Sequence, residues 1–250
     1  LVSSVKDGQA HIGASGSGSD YSVATVAVPA ATAVNAWGTE VGTMASSYLI
    51  KIWGPGSNNL FAVGAGGQIR RFNGTTWDTL PSPTSNWLWS VWGTSATNVY
   101  AVGDGGVILR WDGSNWVSQA NPASGYNLHG VWGSGPNDVW VVGDAGRILH
   151  STDGLNWVDA STGTTGLWAV WGTAWNDIWA VGDAGLILHY DGVSWTSVPS
   201  GVTQYLRAVG GSGPSNVFAM GSAGDIVRYN GTSWVTQANP AAGDLWGVWA

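Results

Sequence analysis

A Trp-Gly step behind an aliphatic residue recurs at Ile52-Trp53-Gly54, Val91-Trp92-Gly93, Val131-Trp132-Gly133 and Val170-Trp171-Gly172. It degenerates to Val209-Gly210-Gly211 and returns as Val248-Trp249. Successive positions of this column lie 39, 40, 39, 39 and 39 residues apart. A second column, Trp77, Trp116, Trp157, Trp195 and Trp234, keeps step with it at spacings of 39, 41, 38 and 39. Two columns in register mean that the chain is built from copies of one supersecondary unit. Such a unit buries its apolar faces only by packing on its neighbours.

Within a unit the pattern is uniform. Residues 88–127 read LWSVWG, then TSATNVYAVGDGG, VILRWDG and SNWVSQA. Short β-branched and aromatic runs alternate with Gly/Asn/Asp/Ser clusters, the signal of strands joined by tight turns. This predicts strand a at 88–92, b at 98–103, c at 107–111 and d at 115–119. Hairpin turns are expected at 103–106 and 112–115, with glycine supplying positive φ. Four short strands in about 40 residues make one blade of a β-propeller. Five units are complete: 49–87, 88–127, 128–166, 167–205 and 206–244.

The ends decide the blade count. Residues 245–250 supply strand a of a further blade, and a lone strand leaves its backbone groups unpaired. N-terminal candidates at Leu1–Gly8, Gln9–Gly13 and Tyr21–Val28 would complete it. The expectation is therefore an all-β, single-domain β-propeller spanning 1–250. It has six four-stranded blades, closed by 245–250 pairing with strands from 1–28, and an insertion at 29–48. The Ala36-Trp37-Gly38 step, 16 residues before Trp53, leaves a seventh blade open.

Composition removes whole classes of alternative. Glycine contributes 39 residues and tryptophan 19, while charged residues make up 9%. Lys6 and Lys51 are the only lysines and Glu40 the only glutamate, so surface helices lack their usual material. With 44% apolar residues the chain is not disordered. A net charge of −7 argues against nucleic acid and anionic membranes, and no apolar run is long enough for membrane insertion. Cysteine is absent, so neither disulfides nor thiolate sites arise. The chain starts at Leu1 without a basic, apolar leader, which reads as a processed chain or a fragment. Low Lys with high Gly, Trp, Ser and Thr reads as a secreted or cell-surface protein.

An Asp/Asn-Gly-x-x-Trp sequence occurs at 73–77, 112–116, 153–157, 191–195 and 230–234. The first side chain can cap its own turn, and the Trp then fills the wedge between blades. Asn73-Gly74-Thr75 and Asn230-Gly231-Thr232 match the glycosylation sequon, but the turn itself demands Asn or Asp there. Ser151-Thr152-Asp153-Gly154-Leu155-Asn156-Trp157 resembles the Asp-box (BNR-type) repeat, one residue short. The segments VWGSGPNDVWVVGDAGRILH and VWGTAWNDIWAVGDAGLILHYDG are similar to bacterial extracellular propeller proteins with such repeats. The resemblance covers about 49–250. It implies that the Asp-box turns lie on the c–d side, opposite the face that usually binds ligand, in a class hosting sialidases, lectins and assembly factors alike.

That division sorts the polar residues. Arg71, Arg110, His150, His189 and Arg228 form a column before the c–d turn, where an intrablade hydrogen bond or ion pair with a neighbouring Asp or Asn is expected. On the opposite face, Asp104, Asp144 and Asp183 sit in the b–c turns, with Ala65 and Ser222 in units one and five. The head of strand a drifts through Ile50, Trp89, His129, Trp168, Arg207 and Trp246, and the preceding loop adds Tyr48, Trp87, Tyr126 and Tyr205. A column that drifts reaches solvent. Aromatics beside carboxylates suit sugar rings, whose C–H faces stack on indole. The candidate ligand-binding set is therefore Trp89, His129, Trp168, Arg207, Trp246, Asp104, Asp144 and Asp183.

Catalysis is not expected. Glycosidases need two carboxylates at a defined separation, and the one glutamate lies in the insertion. His11, His129, His150 and His189 show no zinc spacing, and no Asp-x-Asp-x-Asp pattern suits calcium. No catalytic residue, metal or cofactor is assigned. The sequence favours a non-catalytic, lectin-like module binding glycans at repeated weak sites, with a protein–protein scaffold as the alternative.

Overall fold

The structure is a computed structural model that describes residues 48–240 and 243–248. It consists of five four-stranded antiparallel sheets, each laid out in chain order from strand a to strand d. Blade one is β1 (Leu49–Gly56), β2 (Asn59–Gly64), β3 (Ile69–Phe72) and β4 (Trp77–Leu80). Blade two is β5 (Leu88–Ser95), β6 (Asn98–Gly103), β7 (Val107–Trp111) and β8 (Trp116–Ser118). Blade three is β9 (Leu128–Gly135), β10 (Asp138–Gly143), β11 (Ile148–Ser151) and β12 (Val158–Asp159). Blade four is β13 (Leu167–Ala174), β14 (Asp177–Gly182), β15 (Ile187–Tyr190) and β16 (Trp195–Ser197). Blade five is β17 (Leu206–Gly213), β18 (Asn216–Gly221), β19 (Ile226–Tyr229) and β20 (Trp234–Thr236). Strand a runs three residues past the expected 92, because Gly93 and Ser95 stay paired with Val99 and Asn98 through an irregular register. Strand d is one residue shorter at each end.

The core lies between blades. One cluster joins Phe61, Val63 and Ile69 of blade one to Leu88, Val91, Leu109 and Trp116 of blade two, and the other three clusters repeat this arrangement. Each inner sheet is covered on both faces, so strand b is a continuous apolar run; all six residues of β6 are buried.

The Trp-Gly step is an interlock between successive blades. A methyl group placed on Gly93 would meet the Trp53 ring at 2.9 Å and the Asn98 carbonyl at 2.6 Å. Gly133 stands in the same relation to Trp92, Gly172 to Trp132, and Gly211 to Trp171. Each Trp thus lies over the glycine of the following blade, and each glycine makes room for the preceding indole. Blade five breaks the series, with Gly210 in the Trp position facing Val248.

The second Trp column wedges against the preceding blade, as the sequence predicts. Trp116 packs edge-on to Phe61, Trp157 to Tyr100, Trp195 to Trp140 and Trp234 to Trp179, at centroid separations of 5.9, 6.1, 5.5 and 5.2 Å. Their indole N–H groups meet no conventional acceptor. The c–d turns are capped as expected: Asp112 Oδ1 accepts from the Ser114 and Asn115 N–H groups, and Asn73 Oδ1 from those of Thr75 and Thr76.

The b–c connection is a single 3-10 turn. Its third residue is always glycine at positive φ, because a Cβ there would strike backbone; at Gly185 the Val202 carbonyl lies 2.1 Å away. Its second residue is also at positive φ yet holds alanine in three blades: Ala145, Ala184 and Ala223, at 53°, 54° and 57°.

The strand expected at 245–250 is not formed over Leu245–Val248, whose predicted ladder partners lie outside the described residues. The other N-terminal readings, the strands within 1–28 and the insertion at 29–48, also fall outside them, apart from Tyr48. Residues 243–248 nonetheless follow the repeat. Asp244 Oδ1 accepts from the Ala223 N–H as Asn127 Oδ1 does from Gly105, and Asn239 donates to the Gly224 carbonyl as Asn121 does to Gly106.

Candidate functional site

The strand-a segments β1, β5, β9, β13 and β17 pack side by side in succession. This brings the drifting residues at their heads into one line, on the rim that carries the b–c turns. Trp89 lies edge-on to His129 at 6.0 Å, and His129 stacks on Trp168 at 4.4 Å with an interplanar angle of 24°. The Arg207 guanidinium covers Trp168 at 5.2 Å and Trp246 at 4.3 Å. Five of the predicted residues, contributed by separate blade positions, therefore form a continuous arc.

The three predicted aspartates belong to the same arc but act inward. Trp89 Nε1 donates to Asp104 Oδ1 and Trp168 Nε1 to Asp183 Oδ1, both at 2.6 Å. His129 Nε2 lies 2.7 Å from Asp144 Oδ1. Each carboxylate bonds the ring that heads its own strand a, fifteen residues upstream. The expectation of aspartates available as sugar acceptors is corrected to that extent: one oxygen of each already bonds a ring nitrogen. The indole faces are engaged too, since Trp168 is sandwiched between His129 and Arg207.

What stays open are the ends and flanks. Trp246 is 51% exposed, Tyr205 46% and Trp87 40%. Trp87 leans on Trp89 at 5.2 Å, and Tyr205 lies 5.5 Å from the Arg207 guanidinium. Trp87 and Tyr205 extend the arc beyond the predicted set; the signal was their place immediately upstream of strand a. Tyr126 is drawn aside under Arg147, 4.1 Å from its ring, while Arg147 pairs with Asp159. Two shallow depressions of about 410 and 250 Å³ open beside the Asp183 turn, the smaller lined by Asp183, Ala184, Thr203, Gln204 and Tyr205.

The opposite rim carries the cationic column in an internal role. Arg71 Nε donates to Asn59 Oδ1, Arg110 to Asn98 and Arg228 to Asn216, at 3.0, 3.0 and 2.8 Å. Where the first position of strand b is aspartate the partner is histidine: His150 on Asp138 at 2.6 Å and His189 on Asp177 at 2.8 Å. Both imidazoles stack on the adjacent strand-b indole, at 3.7 and 3.9 Å. Burial alone would raise the Asp138 carboxyl, but hydrogen bonds from His150, Ser134 and Trp140 outweigh it and hold it below the ordinary value. Bonds from the Asn156 backbone and side chain and the Leu155 N–H hold the Asp153 turn carboxyl far below its ordinary value. Among the described residues no cluster of three His, Cys, Asp or Glu could hold a metal, and no helix is long and apolar enough to cross a membrane.

Neither a family model nor a curated protein matches the chain. Solved structures do match. YCF48 bound to D1 peptide superposes with a TM-score of 0.61 at 16% identity, covering 79% of this chain and 69% of that one. YCF48 from Cyanidioschyzon merolae gives 0.55 at 14%, covering 82% and 88%. The WD40 repeats of RRP9 give 0.66 at 8%, covering 80% and 68%. At these identities the likeness concerns architecture alone. Five successive four-stranded blades and these neighbours make the chain a repeat β-propeller.

Proposed function

We propose that the chain is a non-catalytic interaction module that engages a polypeptide partner along the b–c rim. The observation that carries this reading is the continuous arc from Trp87 to Trp246, in which the aromatic rings are locked to one another and to carboxylates. A rigid, extended ridge with exposed aromatic ends suits a chain laid across it, because the contact side chains are ordered before binding. The central indole, Trp168, already carries the His129 ring and the Arg207 guanidinium, which leaves exposed indoles only toward the ends, at Trp87 and Trp246. The solved propeller with a bound peptide is a precedent for this use of the architecture. The lysine-poor composition, rich in Gly, Trp, Ser and Thr, supports a place in secretion or at a cell surface.

Synthetic peptide arrays and a glycan array, probed with the wild-type protein and a Trp87→Ala/Trp246→Ala variant, test the reading. The expected result is a peptide set bound by the wild type and weakened about tenfold or more in the variant. Binding confined to glycans, or peptide binding indifferent to both substitutions, would overturn it.

A sixth blade, closed by residues 245–250 with N-terminal strands, belongs to the same proposal. Its support is the repeat-like attachment of Asp244 and Asn239 and the seating of Trp246 on Arg207. Removal of residues 245–250 should then lower the melting temperature of the whole array. An unchanged transition would exclude that closure.

A further inference from the structure

The blades do not treat the head of strand a alike. Blades two to four set a ring nitrogen against an aspartate. Blade five sets a cation, Arg207, against Ser222, whose hydroxyl accepts from Nε at 3.3 Å. Three rings surround the guanidinium: Trp246, Trp168 and Tyr205, at 4.3, 5.2 and 5.5 Å. Among the described residues no carboxylate pairs with it. Asp183 accepts from Trp168 and Asp244 from the Ala223 N–H.

A guanidinium stacked on aromatic faces keeps its in-plane N–H groups available, and their fork matches a carboxylate in bidentate fashion. Elsewhere on this rim Asp104, Asp144 and Asp183 repel an incoming acid. Arg207 is the place where an acid gains instead, which sets the register of a bound chain. The arc continues on both sides of Arg207, through Trp168 and through Trp246, so a chain following it passes over the arginine before reaching the Trp246 end.

We propose that Arg207 is a carboxylate receptor that takes the side chain of an aspartate or glutamate within the partner polypeptide, between Tyr205 and Trp246. This rests on the polypeptide reading of the rim. The 250 Å³ depression beside Tyr205 receives the neighbouring side chain of the partner.

Arginine side-chain NMR on the full chain isolates the claim. The chain has six arginines, the eight basic residues less Lys6 and Lys51. The Arg207 Nε resonance is the one lost in Arg207→Lys. Three probes are titrated: acetyl-Leu-Glu-Leu-amide, acetyl-Leu-Gln-Leu-amide, and acetyl-Leu-Gln-Leu with a free C-terminus. The Glu probe is expected to move Arg207 saturably and to bind about tenfold or more tightly than its Gln amide. Ser222→Asp, which restores the acid found in blades two to four, should abolish the shift while the protein still melts cooperatively. A stationary Arg207, or equal shifts with Glu and Gln amides, overturns the receptor. A shift only with the free C-terminus overturns the mid-chain acid. Array binding without acid preference sinks this inference and spares the rim. A Glu-specific shift without array binding keeps the receptor and sinks the polypeptide reading.

Discussion

The two rims of the array are built from the same repeat and behave oppositely. On the c–d rim every blade makes the same capped turn and the same strand-b to strand-c bond, as Asn with Arg or Asp with His. On the b–c rim the head of strand a changes from Trp to His to Trp to Arg, and its turn partner from Asp to Ser. A position whose neighbours lie within the repeat is fixed by them. A position that faces outward is released to differ, and the difference is where specificity can reside.

The sharpest way to break the comparison is to attack the uniform side. Trp140→Ala removes a fully buried indole that meets Trp195, Tyr190 and His150, and should cost about 3–5 kcal/mol in denaturant unfolding. A cost comparable to that of a b–c rim residue such as Trp87→Ala would erase the distinction. The paired code of the c–d rim predicts coupling. Asp138→Asn weakens a charge-assisted bond and His150→Arg removes the imidazole stacked on Trp140, so each should destabilise by about 0.5–1.5 kcal/mol. The double variant, which transplants the Asn–Arg pair of the other blades, should recover most of that loss; additive costs would show that the columns do not exchange as pairs.

A smaller effect is expected with acid. The folded pKa of Asp138 lies below its ordinary 3.8, so its contribution is complete above that value and declines as pH falls through the folded one. Asp138→Asn should therefore flatten the loss of melting temperature below about pH 4, and an unchanged acid slope would refute the role. The smallest effect belongs to Ala184→Gly in the b–c turn. Relieving an alanine held at φ 54° should stabilise by about 0.5–1 kcal/mol, partly offset by the entropy of the unfolded glycine. Destabilisation would mean that the methyl group has a packing role.

The sequence carried strand order, turn chemistry and the sorting of residues between rims, because each depends on neighbours within one unit. The Asx caps were legible for that reason, and the wedge role of Trp116, Trp157, Trp195 and Trp234 from its recurrence in every unit, although its partners lie in the preceding blade. The partner of the Trp-Gly step was not: Gly93 exists to admit Trp53, and nothing in residues 88–127 mentions an indole from the preceding unit. The same blindness hid the ring nitrogens that Asp104, Asp144 and Asp183 already bond, since a fifteen-residue hairpin bond to the head of strand a leaves no mark in composition. The isolation of Arg207 was half visible, in the exchange of aspartate for Ser222, while its three-ring enclosure came only from stacking blades.

The interlock of Trp53 with Gly93, repeated down the chain, has a genealogical consequence. Blades two to four each offer the same socket to their predecessor and the same plug to their successor. A duplicated unit could therefore be spliced between any two others without new complementary mutations, and the array could lengthen by copying. Among the described residues Gly210 is the one place where the plug is missing, and there such growth would stall.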